Sequence, residues 1–278
     1  MNKRGYAFSM KAESWSAAKC APYLPKPKAN DHKYRRGVLG CVTGSKQYPG
    51  AALLTTSAAL SVGIGMVRYF GPESVKKAVI QNRPEVVIQT GNVDAYVMGS
   101  GIPAKKSLLR KITMEMANRA DLPKVLDAGA LYLAGTSKSP TIITPHAGEL
   151  AELLKVKSAD IEADPIYFAL DAARKFKLTV LLKGERTVVA NETRAIQLPA
   201  ATNWLATAGT GDVLAGILGA LLALNHKNVN KENLIEMGAT ASYIHAQSAA
   251  QSSKGPISAE KLIDHIPSVV ARLSKNIK

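Results

Sequence analysis

Cysteine is scarce: Cys20 and Cys41 stand alone in 278 residues, with no C-x-x-C pair and no His/Cys cluster, which leaves no material for a disulfide framework or a structural zinc site. A reducing, cytoplasmic setting is the expectation. Aromatics are few too, at 5%, and they do not interleave with basic residues as they do in single-strand nucleic-acid binders. Long hydrophobic runs are missing. The longest, Val213 to Leu224, covers about 12 residues and is too short for a bilayer. Lys3, Arg4, Lys11 and Glu13 break up the N-terminal stretch before a secretory signal core can form. A soluble protein without a membrane partner is expected. The phosphate-binding sequence G-x-x-x-x-G-K-[ST] is absent, as is H-E-x-x-H, so phosphoryl chemistry would need another scaffold.

Acidic residues are outnumbered, 21 against 36 Lys and Arg, giving a net charge of +15. Residues 1–36 hold nine of the basic groups against only Glu13 and Asp31, and so carry +7 of that excess. With Pro22, Pro25 and Pro27 among them, they read as a mostly irregular basic arm ahead of a domain over residues 37–278. Such an arm can attract nucleic acid or anionic ligands. A solvated surface is the commoner meaning of a charge run, and nucleic acid is not favoured as a partner.

Hydrophobic residues make up 46% of the chain, enough for a substantial core in a single α/β domain. From about Gly37 onward, short apolar runs alternate with helix-length segments, which predicts strands and crossover helices around a mostly parallel central sheet flanked by helices. The strand candidates are Val38–Val42, Met66–Phe70, Val86–Gln89, Ala95–Met98, Lys124–Leu126, Thr141–Ile143 and Thr179–Leu182. Thr187–Ala190 and Arg194–Leu198 read as a hairpin added to the sheet. Val213–Leu224, about Lys231–Ser252 and Ala259–Leu273 read as helices. Several strands run into polar or glycine turns, and open α/β sheets bind ligands outside the carboxyl ends of their strands. One crevice lined by these turns is expected.

The most telling turn is Ala206-Thr207-Ala208-Gly209-Thr210-Gly211-Asp212, which leads straight into an apolar helix. Glycines let the backbone approach an anion, and the first turn of a helix offers unpaired N–H groups and a favourable dipole. Asp212 would stand as a base beside that anion hole. The alternative is that Thr210 or Asp212 merely caps the helix. Gly44 to Ala52 forms a small-residue turn and helix start that would admit a bulky ligand or simply pack closely on the sheet. Thr144-Pro145-His146-Ala147-Gly148-Glu149 opens another helix, with His146 placed either to reach a ligand or as a surface residue beside a Thr144 cap. Lys183-Gly184-Glu185-Arg186-Thr187 ends the strongest buried-strand candidate, where a lysine could neutralise nucleotide phosphates or sit in a basic turn. Gly99-Ser100-Gly101-Ile102-Pro103-Ala104 matches G-x-G-x-x-A, but Pro103 occupies the turn and no acid follows at the spacing a dinucleotide fold requires.

In this order these segments resemble the ADP/ATP-dependent NAD(P)H-hydrate dehydratases, from roughly Arg36 to the C-terminal helices. The most specific pieces are Tyr48-Pro49-Gly50-Ala51-Ala52, Thr144-Pro145-His146-x-Gly148-Glu149, Leu182-Lys183-Gly184 with Thr187, and Ala206 to Gly216. The resemblance implies a ribokinase-like fold. It implies that Lys183, Gly184, Glu185, Arg186, Thr187 and Gly211 contact the adenine nucleotide, that Ala51, Gly101 and His146 line the pocket for hydrated NADH or NADPH, and that Asp212 sits against the hydroxyl on the damaged ring. It further implies that ADP or ATP phosphorylates this hydroxyl on the S-epimer and that phosphate then leaves, restoring the nicotinamide. Gly209, Thr210 and Gly211 would supply the anion hole and Asp212 the base, ionised because a helix N-terminus favours its charge. Magnesium would bridge the donor phosphates, with protein ligands that the sequence does not identify. A homo-oligomer and a separate-chain NAD(P)H-hydrate epimerase are the implied partners, because only about 36 residues precede the core. Where the family usually has Gly-Pro-Gly-Leu-Gly and Asp-Ala-Asp-Ala-Leu, this chain has Gly99-Ser100-Gly101-Ile102-Pro103 and Asp127-Ala128-Gly129-Ala130-Leu131. The rival readings are a ribokinase-like ATP-dependent kinase of a small alcohol and, of a different class, a non-catalytic nucleotide or nucleic-acid binder.

Overall fold

The computed structural model describes residues 12–103, 116 and 121–275. Lys3, Arg4 and Lys11 of the basic segment and Ala104 of the glycine loop lie outside them.

Among the described residues, β1 (Glu13–Ser14), β2 (Val38–Val42), β3 (Met66–Tyr69), β4 (Ala95–Met98), β5 (Lys124–Leu126), β6 (Thr141–Ile143), β7 (Thr179–Leu182), β8 (Val188–Ala190) and β9 (Ala195–Gln197) form one sheet in the order β1-β9-β8-β7-β6-β5-β4-β2-β3. Pairing is parallel from β3 through β7. It turns antiparallel at the β7-β8 and β8-β9 pairs, and β1 closes the edge parallel to β9. Strands so paired must be covered on both faces, and their side chains divide with the period of two that a strand dictates. Leu39, Cys41, Val97, Val125, Ile142 and Leu181 face a core shared with the long helices, whereas Val42, Met98, Leu126, Ile143, Val180 and Leu182 face the other side.

The first layer consists of α2 (Pro49–Ser61), α7 (Thr210–Leu224), α8 (Leu234–Ser252) and α9 (Ala259–Ser274), after the short α1 (Ala17–Cys20). The second holds α4 (Ala147–Leu154), α5 (Ser158–Ala163) and α6 (Pro165–Phe176); α3 is Glu73–Asn82. α7 is almost wholly apolar and buried, as a helix enclosed between a sheet and other helices must be. No helix among the described residues is long and apolar enough to cross a membrane.

Two expectations change. Val86–Gln89 is not a strand: it follows Pro84 at the sheet edge and makes a single parallel bridge, Arg68 to Val87. The basic segment is also more structured than its prolines imply. Residues 13 and 14 pair with β9, and Trp15, Cys20 and Leu24 enter the core around α8 and α9. These apolar residues are scattered among lysines and prolines and carry no periodicity, so burial and not pattern recruits them.

Candidate functional site

The parallel strands β4 to β7 end side by side, and each delivers one polar group to the same place. Asp127 follows β5 and is 3% exposed. Its Oδ2 accepts a 2.7 Å hydrogen bond from Ser100 Oγ in the turn after β4. Its Oδ1 accepts one of 2.7 Å from Thr144 Oγ1 after β6 and one of 3.1 Å from Lys183 Nζ after β7. A single carboxylate thus ties four strand ends together. Lys183 Nζ lies 3.8 Å from Glu149 Oε2 at the start of α4, and a Cβ on Gly211 at the start of α7 would stand 3.6 Å from it.

Electrostatics in this cluster is a competition of carboxylates for one cation. Burial works against the Lys183 charge, but Asp127, Glu149 and Asp212 outweigh it and hold the ammonium above its ordinary range. For Asp212 the balance goes the other way. Burial and the Asp127 charge push its carboxyl up to about 7, against the pull of Lys183. The expectation that the helix N-terminus keeps Asp212 simply ionised is therefore corrected. The dipole is worth up to about 2 kcal/mol at a partly buried position, less than desolvation beside a second carboxylate.

α7 begins at Gly209 with φ +91°, a left-handed conformation that glycine adopts freely, and no side chain caps the helix. A Cβ at Gly209 would also lie 2.6 Å from Leu54 Cδ1. Thr210 pins the turn: its Oγ1 is 2.8 Å from Leu205 O and 2.9 Å from Thr207 O, and its N–H reaches Thr207 O at 3.3 Å. The N–H groups of Gly211 and Asp212, next in the first turn, have no intrahelical acceptor. α4 begins differently. His146 Nδ1 accepts from the Glu149 N–H at 3.3 Å, and Glu149 Oε2 accepts from the His146 N–H at 2.9 Å, a closed capping box. His146 is itself the cap, and Thr144 serves Asp127 instead.

Two cavities flank the Lys183-Gly184-Glu185 segment and share it, together with His146. One, of about 740 Å³, runs from the α7 start along Thr187 and Leu205 to Ser242 and His245 of α8. The other, of about 780 Å³, is bounded by Gly148, Ser158, Glu162, Arg186 and Gln197. Of the residues expected at a nucleotide, Lys183, Gly184, Glu185, Thr187 and Gly211 line the first cavity, while Arg186 faces the second. Ala51 and Gly101 are brought together, since a Cβ on Gly101 would be 2.5 Å from Ala51 Cβ, but neither lines these two cavities.

Asp127, Ser100, Thr144 and Glu149 are site residues that the expectation did not place. Thr144 and Glu149 stand inside the Thr-Pro-His-x-Gly-Glu segment without a role of their own, and Ser100 and Asp127 have only their position just after a strand end as a signal. The two departures in the glycine loop and after β5 meet in space: a Cβ at Gly129 would lie 2.1 Å from the Ile102 carbonyl oxygen. An aspartate at 129 is incompatible with this loop, so the two changes form one adjustment. No group of three or more His, Cys, Asp or Glu able to hold a metal occurs among the described residues, and both Asp127 oxygens are already engaged.

A model of the NAD(P)H-hydrate dehydratase family matches residues 39–268. A bifunctional NAD(P)H-hydrate repair enzyme of Mycobacterium leprae is 36% identical over 276 residues, covering 92% of this chain and 56% of that protein. An ADP-dependent (S)-NAD(P)H-hydrate dehydratase of Neisseria meningitidis serogroup B is 35% identical over 221 residues, covering 73% of this chain and 75% of its own length. The chain spans about half the length of the bifunctional relatives it matches. Among solved structures, the ADP/ATP-dependent NAD(P)H-hydrate dehydratase of Bacillus subtilis, co-crystallised with ATP and Mg2+, superposes with a TM-score of 0.84 at 26% identity, over 95% of this chain and 100% of that one. A ribokinase-like superfamily protein of Enterococcus faecalis, 20% identical with a TM-score of 0.83 over 95% of this chain and 97% of its own, shares the fold. The architecture is ribokinase-like, a mostly parallel central sheet flanked by helices in a single domain.

Proposed function

The chain belongs to the NAD(P)H-hydrate dehydratase family, and from that premise we propose that it restores the S-epimer of hydrated NADH or NADPH to the intact dinucleotide at the expense of ADP, with ATP as the alternative donor. Water leaves poorly from the hydrated ring and phosphate leaves well. The ring hydroxyl oxygen attacks the terminal phosphorus of ADP, Asp212 takes the hydroxyl proton, and AMP departs. The ring C–O bond then breaks to release phosphate, and loss of the neighbouring ring proton restores the double bond.

The carrying observation is the convergence of Lys183, Asp127 and Asp212 at the uncapped start of α7. Lys183 remains a cation beside the donor phosphates. The N–H groups of Gly211 and Asp212, with the Gly209-Thr210 turn holding them in place, face the charge that spreads over the moving phosphoryl, where such donors are typically worth about 3 kcal/mol each. Asp212, at about 7, is poised for general-base work near neutral pH. Lys183 to Thr187 serve the nucleotide, and Ala51, Gly101 and His146 the hydrated dinucleotide. Magnesium would come in this reading with the nucleotide, since such a cation is usually held through substrate phosphates and no group of three or more His, Cys, Asp or Glu able to hold it occurs among the described residues. An epimerase activity that interconverts the two hydrate epimers is the functional partner, and a homo-oligomer is the proposed assembly. By charge the chain divides in this reading into basic residues 1–36 and a catalytic domain over 37–278, with residues 13–24 of the basic part joining the sheet and core of that domain.

The test is absorbance at the reduced-nicotinamide band, with purified protein, hydrated NADH, magnesium, and ADP or ATP added separately. Nucleotide-dependent recovery of the band establishes the dehydratase and identifies the donor. No recovery with either nucleotide, given folded protein and verified substrate, rejects the proposal in favour of a kinase of another alcohol.

A further inference from the structure

Ser100 stands in the turn after β4 and is fully buried. Its neighbours Gly99 and Gly101 have φ of +110° and +68°, which glycine adopts without strain. A Cβ on Gly99 would run into the Asp127 carbonyl oxygen and one on Gly101 would lie 2.5 Å from Ala51 Cβ, so the turn admits no side chain on either side of the serine. The Ser100 carbonyl accepts from the Gly44 N–H at 2.7 Å, and its hydroxyl donates to Asp127 Oδ2 at 2.7 Å. The turn is thus fixed, and with it the direction in which the hydroxyl points.

Asp127 divides its two oxygens unequally. Among the described residues, Oδ1 takes Thr144 Oγ1 and Lys183 Nζ, while Oδ2 takes Ser100. Lys183 therefore meets this carboxylate through one oxygen, at 3.1 Å. An ammonium has three N–H donors, and contact with a single oxygen leaves the others for Glu149, 3.8 Å away, and for a ligand at the α7 start. Without the serine hydroxyl, Oδ2 would be a buried anionic oxygen short of a donor, which is costly. The cation within reach is Lys183. A carboxylate that brings both oxygens onto it would draw the ammonium toward the β5 end and away from the α7 start. Proline, the residue of the usual family pattern at this place, has no hydroxyl, so this division of the carboxylate is a feature of the present chain.

We propose that Ser100 is a positioning residue for the phosphoryl donor: by occupying Asp127 Oδ2, its hydroxyl limits Asp127 to a one-oxygen contact with Lys183 and leaves the ammonium free to reach the donor phosphates. This inference rests on the nucleotide reading of Lys183 given above. Isothermal titration with ADP and with inorganic pyrophosphate, both with magnesium, tests it on the wild-type protein, Ser100→Ala, Ser100→Cys, Lys183→Ala, and Ser100→Ala combined with Lys183→Ala. Ser100→Ala should raise both dissociation constants by about threefold to tenfold, because the loss falls at the phosphates. Ser100→Cys, whose thiol is a weak donor, should fall between wild type and alanine. In the Lys183→Ala background the serine substitution should change ADP affinity by less than about 1.5-fold, a coupling that the double-mutant cycle isolates. A serine that merely clamps the β4 turn would weaken ADP equally with and without Lys183. Equal loss in the two backgrounds therefore overturns the inference, as does unchanged affinity in folded Ser100→Ala. Where Ser100→Ala fails to fold, Ser100→Cys carries the same cycle. A wild-type protein that binds neither ADP nor pyrophosphate overturns the nucleotide reading of Lys183 and the inference with it, whereas wild-type binding with an unaffected serine variant overturns the inference alone.

Discussion

Two helices begin beside Lys183 with the same spacing of glycine and acid: His146-Ala147-Gly148-Glu149 for α4 and Gly209-Thr210-Gly211-Asp212 for α7. Each places glycine second and an acid third in its first turn. In α4 the acid folds back onto the cap and closes the box. In α7 the cap is a left-handed glycine with no side chain to accept from the first turn, and burial with Asp127 raises the acid to about 7. A helix start satisfied by its own side chains is a structural device, whereas one left open beneath a cation is available to an anion. An acid at the same position therefore does different work in the two helices, because one folds back onto its cap and the other is buried beside Asp127 and Lys183.

Asp212→Asn should break the pair most severely. Turnover is expected to fall by at least about 100-fold with nucleotide affinity retained, as read by the recovery assay and by titration with ADP. Near-normal turnover would remove Asp212 from the mechanism. Lys183→Ala touches both helix starts, yet its main effect should be on nucleotide affinity, by roughly 10- to 100-fold, the range for a charge-assisted contact. An unchanged ADP dissociation constant would contradict its assignment.

The pH dependence sharpens the contrast next. With Asp212 at about 7, kcat/KM should fall by about tenfold per pH unit below that value as the base becomes protonated, and Asp212→Asn should lack this limb. Stability follows the same group with the opposite sense. Its folded pKa lies above the ordinary value of 3.8, so its contribution is present below about pH 4 and is lost as pH rises through about 7. At pH 8 the asparagine variant should accordingly melt higher than wild type, while at pH 4 the two should converge. A wild-type midpoint that rises between pH 5 and 8, relative to the variant, would mean that Asp212 is stabilised as an anion after all.

Most strands were legible because alternation and strand-end turns are local properties, and β2, β4, β5, β6 and β7 fall within a residue of the expected bounds. The site was legible only in part. Lys183, Gly211 and Asp212 announce themselves through glycine turns, but the knot at Asp127 joins residues 100, 127, 144 and 183, which only the strand order brings together. The charge state of Asp212 escaped for the same reason, since a helix start is visible in sequence and the carboxylate packed near it is not. The contact between Ile102 and Gly129 likewise turns two separate-looking sequence departures into one packing event.

Glu149→Ala gives the smallest effect and the finest test of the comparison. The substitution removes the acceptor for the His146 N–H and opens the box at the α4 start, a loss of about 1 kcal/mol by analogy with other caps. The midpoint should drop by about 2–4 °C in a chain of this size. Glu149 also lies 3.8 Å from Lys183, but that pair is longer than the 3.1 Å bond to Asp127, and Asp127 keeps the lysine charged without it. Turnover should then stay within about threefold of wild type, a change no larger than a partly exposed ion pair is worth. Glu149→Gln preserves an acceptor for the cap without the charge, so it should restore the midpoint. If glutamine restores the midpoint while turnover collapses in both variants, the charge at α4 acts on Lys183 as strongly as the charge at α7. The two helix starts would then be one electrostatic unit, not a closed structural end beside an open functional one.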